Sequence, residues 1–144
     1  MIDRSHVGLQ LPVVHWPVEK GRLLAFARAI GETRPEYTDE AAAIAAGHPS
    51  LLAPPTLYFG AELDAGTIQA MMETLGVPID RVLHGEQGFT YERPVHAGDV
   101  LTLRSSIADI SEKKGGRMEF VTKVTNQRGE AVGEMRSVIV VMNG

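Results

Sequence analysis

Apolar residues crowd every side of one stretch, Leu51-Leu52-Ala53-Pro54-Pro55-Thr56-Leu57-Tyr58-Phe59-Gly60-Ala61-Glu62-Leu63. Two prolines open it, and proline is tolerated in a first helical turn, where its missing N–H has no partner. A helix that is apolar all round is a buried helix. The run therefore predicts a central helix wrapped by other elements. Asp64-Ala65-Gly66 predicts a break, and Thr67 to Leu75 a second helical segment that Gly76 stops, with Pro78 beyond.

Upstream, Val7, Leu9, Leu11 and Val13 alternate, which predicts a strand over Val7 to Trp16. Pro12 confines it to an edge or bends it. Pro17 marks the turn into a helix from Glu19 to Ile30, with Leu23, Phe26, Ala27 and Ile30 on one stripe and Gly31 as its stop. Residues 31–39 are polar and proline-broken, so a loop is expected. Thr38 is a candidate cap for a short alanine-rich helix from Asp39 to Ala46. Downstream the pattern changes to strands over Arg81 to Arg93, Val100 to Ile110, Met118 to Thr125 and Ala131 to Met142. Turns are expected at 94–99 and 126–129, and a hairpin at Lys113-Lys114-Gly115-Gly116. Four consecutive strands with short turns predict an antiparallel meander. One buried helix held in a curled antiparallel sheet is the hot-dog arrangement, an α+β fold.

Composition narrows the function classes. A length of 144 residues predicts one domain over 1–144. The net charge of −4 leaves no basic footprint for nucleic acid or an anionic membrane. No apolar run approaches the ~18 residues of a membrane span, and Met1-Ile2-Asp3-Arg4 opens no signal peptide. A cytoplasmic protein is expected. Zero cysteines exclude disulfides and thiol nucleophiles. The chain has no His-Glu-x-x-His spacing, no serine nucleophile elbow and no glycine-rich phosphate loop, so neither a metal nor a cofactor is expected.

Four segments carry a resemblance: Phe26-Ala27-Arg28-Ala29-Ile30-Gly31-Glu32, Leu52-Ala53-Pro54-Pro55-Thr56, His84-Gly85-Glu86-Gln87-Gly88-Phe89-Thr90-Tyr91-Glu92-Arg93-Pro94, and Val95-His96-Ala97-Gly98-Asp99. Together they resemble the MaoC-like dehydratase family in its N-terminal, fatty-acid-synthase-like form, and are similar to (3R)-hydroxyacyl-ACP dehydratase subunits. The likeness runs from Val7 to Val141. It implies a hot-dog fold paired into a homodimer, or into a heteromer with a MaoC-type subunit. It also implies acyl groups on coenzyme A or acyl carrier protein as substrates. The implied reaction is reversible hydration of a 2-enoyl thioester to a 3-hydroxyacyl thioester.

That reaction needs a base for water, a proton for the α-carbon, and N–H donors for the thioester oxygen as it gains charge. Classical members carry an Asp and a His in a loop resembling Asp-x-Asn-Pro-x-His. Here the loop reads Glu32-Thr33-Arg34-Pro35-Glu36-Tyr37. Glu32 keeps the carboxylate, whereas Tyr37 replaces the imidazole, and a tyrosine hydroxyl, with a usual pKa of about 10, is a poor base near neutrality. Two readings follow. In one, His84 supplies the missing group, beside Glu86 on one strand face by simple alternation and within about one water of a partly buried Glu32. In the other, the chain is a non-catalytic acyl-binding partner of a heteromer whose other subunit carries the intact dyad. A hot-dog thioesterase is a third. Glu32, Tyr37 and His84 are thus the candidate catalytic residues. Candidate substrate contacts are Pro55 and Thr56 at the helix start, where the Thr56 N–H is the next donor after the donorless proline, and Arg34, suited to a phosphate or carboxylate. Gln87 and His48, the latter in the loop before the central helix, complete the set. A structural hydrogen bond is the plain alternative for His84, and His6 and His96 are expected in solvent. An unpaired sheet edge argues against a monomer, with the 84–93 strand and the late strands as the expected interface.

Overall fold

A computed structural model describes residues 2–112 and 116–142, so residues 113–115 of the expected hairpin lie outside the described residues. Five antiparallel strands form one sheet: β1 (Val14–Pro17), β2 (Val82–Tyr91), β3 (Val100–Ser111), β4 (Arg117–Thr125) and β5 (Ala131–Val141). Helices α1 (Lys20–Ala29), α2 (Pro35–Thr38), α3 (Glu40–Ala45), α4 (Leu57–Asp64) and α5 (Thr67–Leu75) complete the α+β hot-dog fold. The strand alternation of the sequence becomes the inner face of the sheet. Leu101, Leu103 and Ile107 of β3, Met118, Phe120 and Val124 of β4, and Met135 and Ile139 of β5 are buried there. Leu57, Tyr58 and Ala61 of α4 pack on one half of this face, and Met71 and Met72 of α5 on the other. Full burial of a side chain such as Leu57 contributes about 2 kcal/mol.

The central helix sits where the sequence predicts it, and Gly66 and Gly76, both left-handed, flank α5. Gly133 admits α4 to the sheet. A Cβ there would lie 2.5 Å from the Thr90 carbonyl oxygen and 2.9 Å from the Tyr58 ring. In its absence the Tyr58 hydroxyl donates to the Val132 carbonyl at 3.1 Å. At the other end of α4, Arg22 of α1 forms a two-point ion pair with Asp64 at 2.9 and 3.2 Å.

Four local expectations change. The strand order is β1-β3-β4-β5-β2, so only β3–β5 form a meander and β2 lies beyond β5. Turn residues encode a chain reversal but not a partner, and β1 already occupies the free side of β3 through Val14 opposite Leu103. The expected strand from Val7 shrinks to Val14–Pro17, with Arg4–His6 in a 3-10 turn and Gln10 bridging Ser106. The loop at 35–38 closes into helix α2, with Pro35 in its first position. As a result Asp39, not Thr38, caps α3 by accepting from the Ala42 N–H at 3.1 Å, while the Thr38 hydroxyl donates back to the Arg34 carbonyl.

The fourth change bears most on function. The register between β2 and β5 shifts at Gly85, so His84 lies opposite Ile139 but Glu86 opposite Val138. A bulge inserts one unpaired residue and reverses the parity of everything beyond it. His84 and Glu86 therefore point to opposite faces, contrary to simple alternation. His84 and Gln87 share the inner face instead, and Glu86 is on the outside, 71% exposed.

Candidate active site

The loop at 32–37 is held by its own residues. One oxygen of Glu32 accepts from the Thr33 and Arg34 N–H groups, each at 3.0 Å, and from Arg34 Nε at 3.1 Å. The other accepts from Arg34 Nη2 at 2.7 Å. These Arg34 bonds, side chain first, pull the Glu32 pKa down to about 2. A carboxylate so stabilised in its charged form is a weak base. The Arg34 guanidinium also lies 4.7 Å over the Tyr37 ring, and Tyr37 is buried. Arg34 thus joins Glu32 and Tyr37 into one unit, with its own side chain 60% exposed.

At the start of α4 a cavity of about 290 Å3 is bounded by Ala53, Pro54, Pro55, Tyr58, Tyr91 and Arg93. Thr56 caps the helix without a side-chain bond and is exposed. Tyr91 reaches over from β2 and donates to the Pro55 carbonyl at 3.0 Å. The prolines thus set the helix start, and Tyr91 pins it to the end of β2. Neither Glu32 nor His84 lines this cavity.

His84 belongs to a different place. Its Nε2 lies 3.0 Å from Gln87 Oε1; that oxygen accepts from the Ser137 hydroxyl at 2.7 Å, and the buried Gln87 Nε2 has no partner among the described residues. Its ring stacks on Phe59, with centroids 4.8 Å apart. It lines an apolar cavity of about 220 Å3 with Phe59, Ile68, Val82, Phe120 and Ile139. Glu32 is absent from both the partners and the cavity of His84, so the expected His84–Glu32 pair does not form within the chain.

His48 and His96 pair with each other, Nδ1 to Nε2 at 3.0 Å, with His96 half-buried rather than in solvent. Burial, then the neighbouring His48, push the His96 pKa down, and Asp99 partly offsets them. The pair joins the loop before α4 to the turn before β3, beside the Leu52–His96 bridge and the Ser50 hydroxyl bond to the Ala97 carbonyl. His48 lines neither cavity.

The model of the FAS1-like dehydratase domain region matches residues 5–135. The chain belongs to this family. A UPF0336 protein of Streptomyces coelicolor is 40% identical over 134 residues, covering 91% of this chain and 89% of the relative. A UPF0336 protein of Thermobifida fusca is 35% identical over 144 residues, covering 97% and 93%. Among solved structures, the C-terminally truncated HadBC (3R-hydroxyacyl-ACP dehydratase) complex of Mycobacterium tuberculosis superposes with a TM-score of 0.80 at 27% identity, over 93% of this chain and 96% of that one. A MaoC-like dehydratase reaches 0.85 at 25% identity, over 97% of this chain and 43% of that one. The R-hydratase PhaJ1 of Pseudomonas aeruginosa, at 0.70 and 23% identity over 96% and 83%, shares the fold.

Within this dehydratase fold the sequence reading passed over Glu62. It is fully buried on α4, and one of its oxygens accepts from the Thr122 hydroxyl, while the Ser105 hydroxyl lies 2.7 Å from that of Thr122 and 3.3 Å from the same Glu62 oxygen. The other oxygen has no partner among the described residues. Burial pushes the Glu62 pKa up, and the two hydroxyls pull against it. The signal was present, since Glu62 is the one charged side chain between Leu51 and Leu63. Its partners lie 43 and 60 residues away, and no local pattern joins them. Among the described residues no group of three or more His, Asp or Glu side chains could hold a metal ion, and no helix is long and apolar enough to cross a membrane.

Proposed function

We propose that this chain is a hydro-lyase subunit that holds an acyl thioester, on coenzyme A or carrier protein, while a second, MaoC-type subunit supplies the acid–base pair for reversible hydration. The observation that carries this reading is the Glu32–Arg34–Tyr37 unit. The carboxylate that should activate water is saturated by four hydrogen bonds, and the imidazole position holds a buried tyrosine. What remains serves binding. The cavity at the start of α4 has a largely apolar lining that also includes Glu92 and Arg93, and an N–H at a helix start, such as that of Thr56 beside it, suits a thioester oxygen as negative charge develops. The edge of the sheet supports association. Among the described residues β2 pairs only with β5, and both of its faces are largely exposed, with Leu83 at 50% and Tyr91 at 48%. A long open edge of this kind invites a second chain, and one structural relative is itself a complex, HadBC.

The test is turnover of crotonyl-CoA by the purified chain alone and after co-expression with a MaoC-type subunit carrying the Asp/His pair. The lone chain is expected to be inert and the heteromer active. Hydration by the lone chain at the heteromer's rate would overturn the reading. A second reading, catalysis by this chain through His84, is favoured by the bond that Gln87 makes to that imidazole at a cavity wall. It requires lone-chain activity that His84→Ala removes without loss of thermal stability.

A further inference from the structure

The segment at 48–53, which leads into α4, is strapped to the turn at 94–99. The Ala53 N–H donates to the Val95 carbonyl at 2.8 Å, the Ala97 N–H to the Leu51 carbonyl at 2.9 Å, and the Ser50 hydroxyl to the Ala97 carbonyl at 2.6 Å. The bond between His48 Nδ1 and His96 Nε2, at 3.0 Å, completes the strap. Of these bonds, that one alone joins groups that titrate near neutrality. We propose that the His48–His96 pair is an acid-sensitive latch on this strap, closed while one hydrogen is shared at the contact and opened when both rings are protonated. Leu52, Ala53 and Val95 of the strap line the cavity at the start of α4, so the latch governs one wall of that cavity. This does not rest on the hydro-lyase reading, because a chain that turned over no thioester would open in the same way.

A bond between two ring nitrogens needs hydrogen on one and a bare lone pair on the other. Either ring can be the donor, so the requirement is the same for both tautomers. A first added proton keeps the bond, with an imidazolium donating to a neutral ring, and charge assistance strengthens it. A second proton sets two N–H groups against each other. It also puts two positive charges on rings whose centroids are 5.2 Å apart.

The surroundings do not compensate the second charge. Among the described residues neither ring forms an ion pair with a carboxylate. Asp99 favours a cation at His96, but its two oxygens already accept from the His96 N–H at 2.9 Å and from Gln127 Nε2 at 3.0 Å. Arg93, Arg128 and Glu130 line the same cavity as His96, and Glu130 is held by Arg128 and Asn126. From α3 the Ala43 carbonyl accepts the His48 N–H, and from α2 the Glu36 carbonyl accepts that of Leu52. Burial, then His48, hold the His96 pKa below 6.5, against the pull of Asp99. As pH falls below that value, an unfolded chain takes up the proton before the folded strap does. The strap therefore loses stability between 6.5 and the lowered value.

The experiment is amide hydrogen exchange of the full chain, read by NMR at a pH of about 7.5 and of about 5, on either side of an ordinary imidazole pKa. Rates are corrected for intrinsic chemical exchange. Protection of the Ala53 and Ala97 amides should fall about tenfold at the lower pH, the scale of one net hydrogen bond, while the amides of β4 lose none. His48→Asn and His96→Gln each keep a polar nitrogen near the contact and take up no proton. Each should make the protection of Ala53 and Ala97 independent of pH. The two rings should titrate in separate steps in the unmodified chain, as coupled groups do, and the remaining ring in a single step in each variant. Protection that is flat with pH in the unmodified chain, a fall that survives both substitutions, or two rings titrating together in one step would each overturn the proposal. Turnover is not read, so failure of the hydro-lyase reading would leave these outcomes unchanged.

Discussion

Two glutamates, thirty positions apart, stand in opposite conditions. Glu32 lies in a surface loop where dehydratase chemistry was expected, and four N–H donors from its own loop saturate it. Glu62 lies on the central helix, fully buried, with the Thr122 and Ser105 hydroxyls at one oxygen and no partner on the other among the described residues. The first has its pKa pulled down by hydrogen bonds from Arg34 and, less, by its charge, and the second has its pKa pushed up by burial. A carboxylate's behaviour thus follows its surroundings rather than its place in a motif. A motif position filled by the right residue type can be tied off by a neighbour two residues along. A residue that belongs to no motif can become a half-satisfied charge carrier in the core.

The largest expected effect comes from stripping Glu62 of its donors. Ser105→Ala combined with Thr122→Val removes both hydroxyls and leaves a buried carboxyl without a hydrogen bond. The loss should be roughly 3 kcal/mol or more in a denaturant melt near neutral pH, since bonds to charged groups and orphaned buried acceptors lie in that range. Adding Glu62→Gln to the pair should recover part of it, because a neutral amide is cheaper to bury than a charge. An unchanged melt in the double variant would show that Glu62 does not depend on these hydroxyls and would dissolve the contrast with Glu32.

An effect of intermediate size concerns pH. Glu62 has its pKa raised on folding, so its contribution is fully present below the ordinary value of 4.5 and is lost as pH rises through the raised value. Glu62→Gln should abolish that decline and raise stability near neutrality relative to the unmodified chain. Thermal melts of both proteins across a pH series would read this. Parallel curves would place Glu62 in a comfortable charged state.

Glu32 should give the smallest effect and the opposite sign. Its folded pKa of about 2 lies below the ordinary 4.5, so its contribution is present above the ordinary value and is lost as pH falls towards 2. Glu32→Gln should flatten only that acid limb, where melts of the two proteins converge. In the proposed heteromer with a MaoC-type subunit the same substitution should change turnover far less than the roughly hundredfold scale of a removed acid–base group. A loss on that scale would restore Glu32 to the catalytic role that its motif position implies.

Much of the architecture could be read in advance because its signals are local. Pro54-Pro55 before an apolar run, glycines at both ends of the next helix, and alternating β-branched segments each act over a few residues. The structure repeats them as α4, α5 and the long strands. Membership of the dehydratase family was legible in the same way, from segments spread along the chain. The helix at 35–38 was missed because one turn of helix behind a proline has too few residues to show a period. The His48–His96 pair was missed because its members are 48 positions apart and no repeat links them.

The sequence by itself determined the element types, the buried central helix and the departure of the 32–37 loop from its family pattern, because each is written in neighbouring residues. The tertiary structure alone decided the rest. Closing the sheet put β2 against β5, since β1 had taken the free side of β3. The register of that pairing placed a bulge at Gly85, which reversed the parity of the strand and gave His84 to Gln87 instead of Glu86. Packing α4 onto the sheet buried Glu62 between Ser105 and Thr122. Each of these outcomes depends on which distant backbone comes alongside, and side-chain periodicity within a single strand or helix carries no information about that.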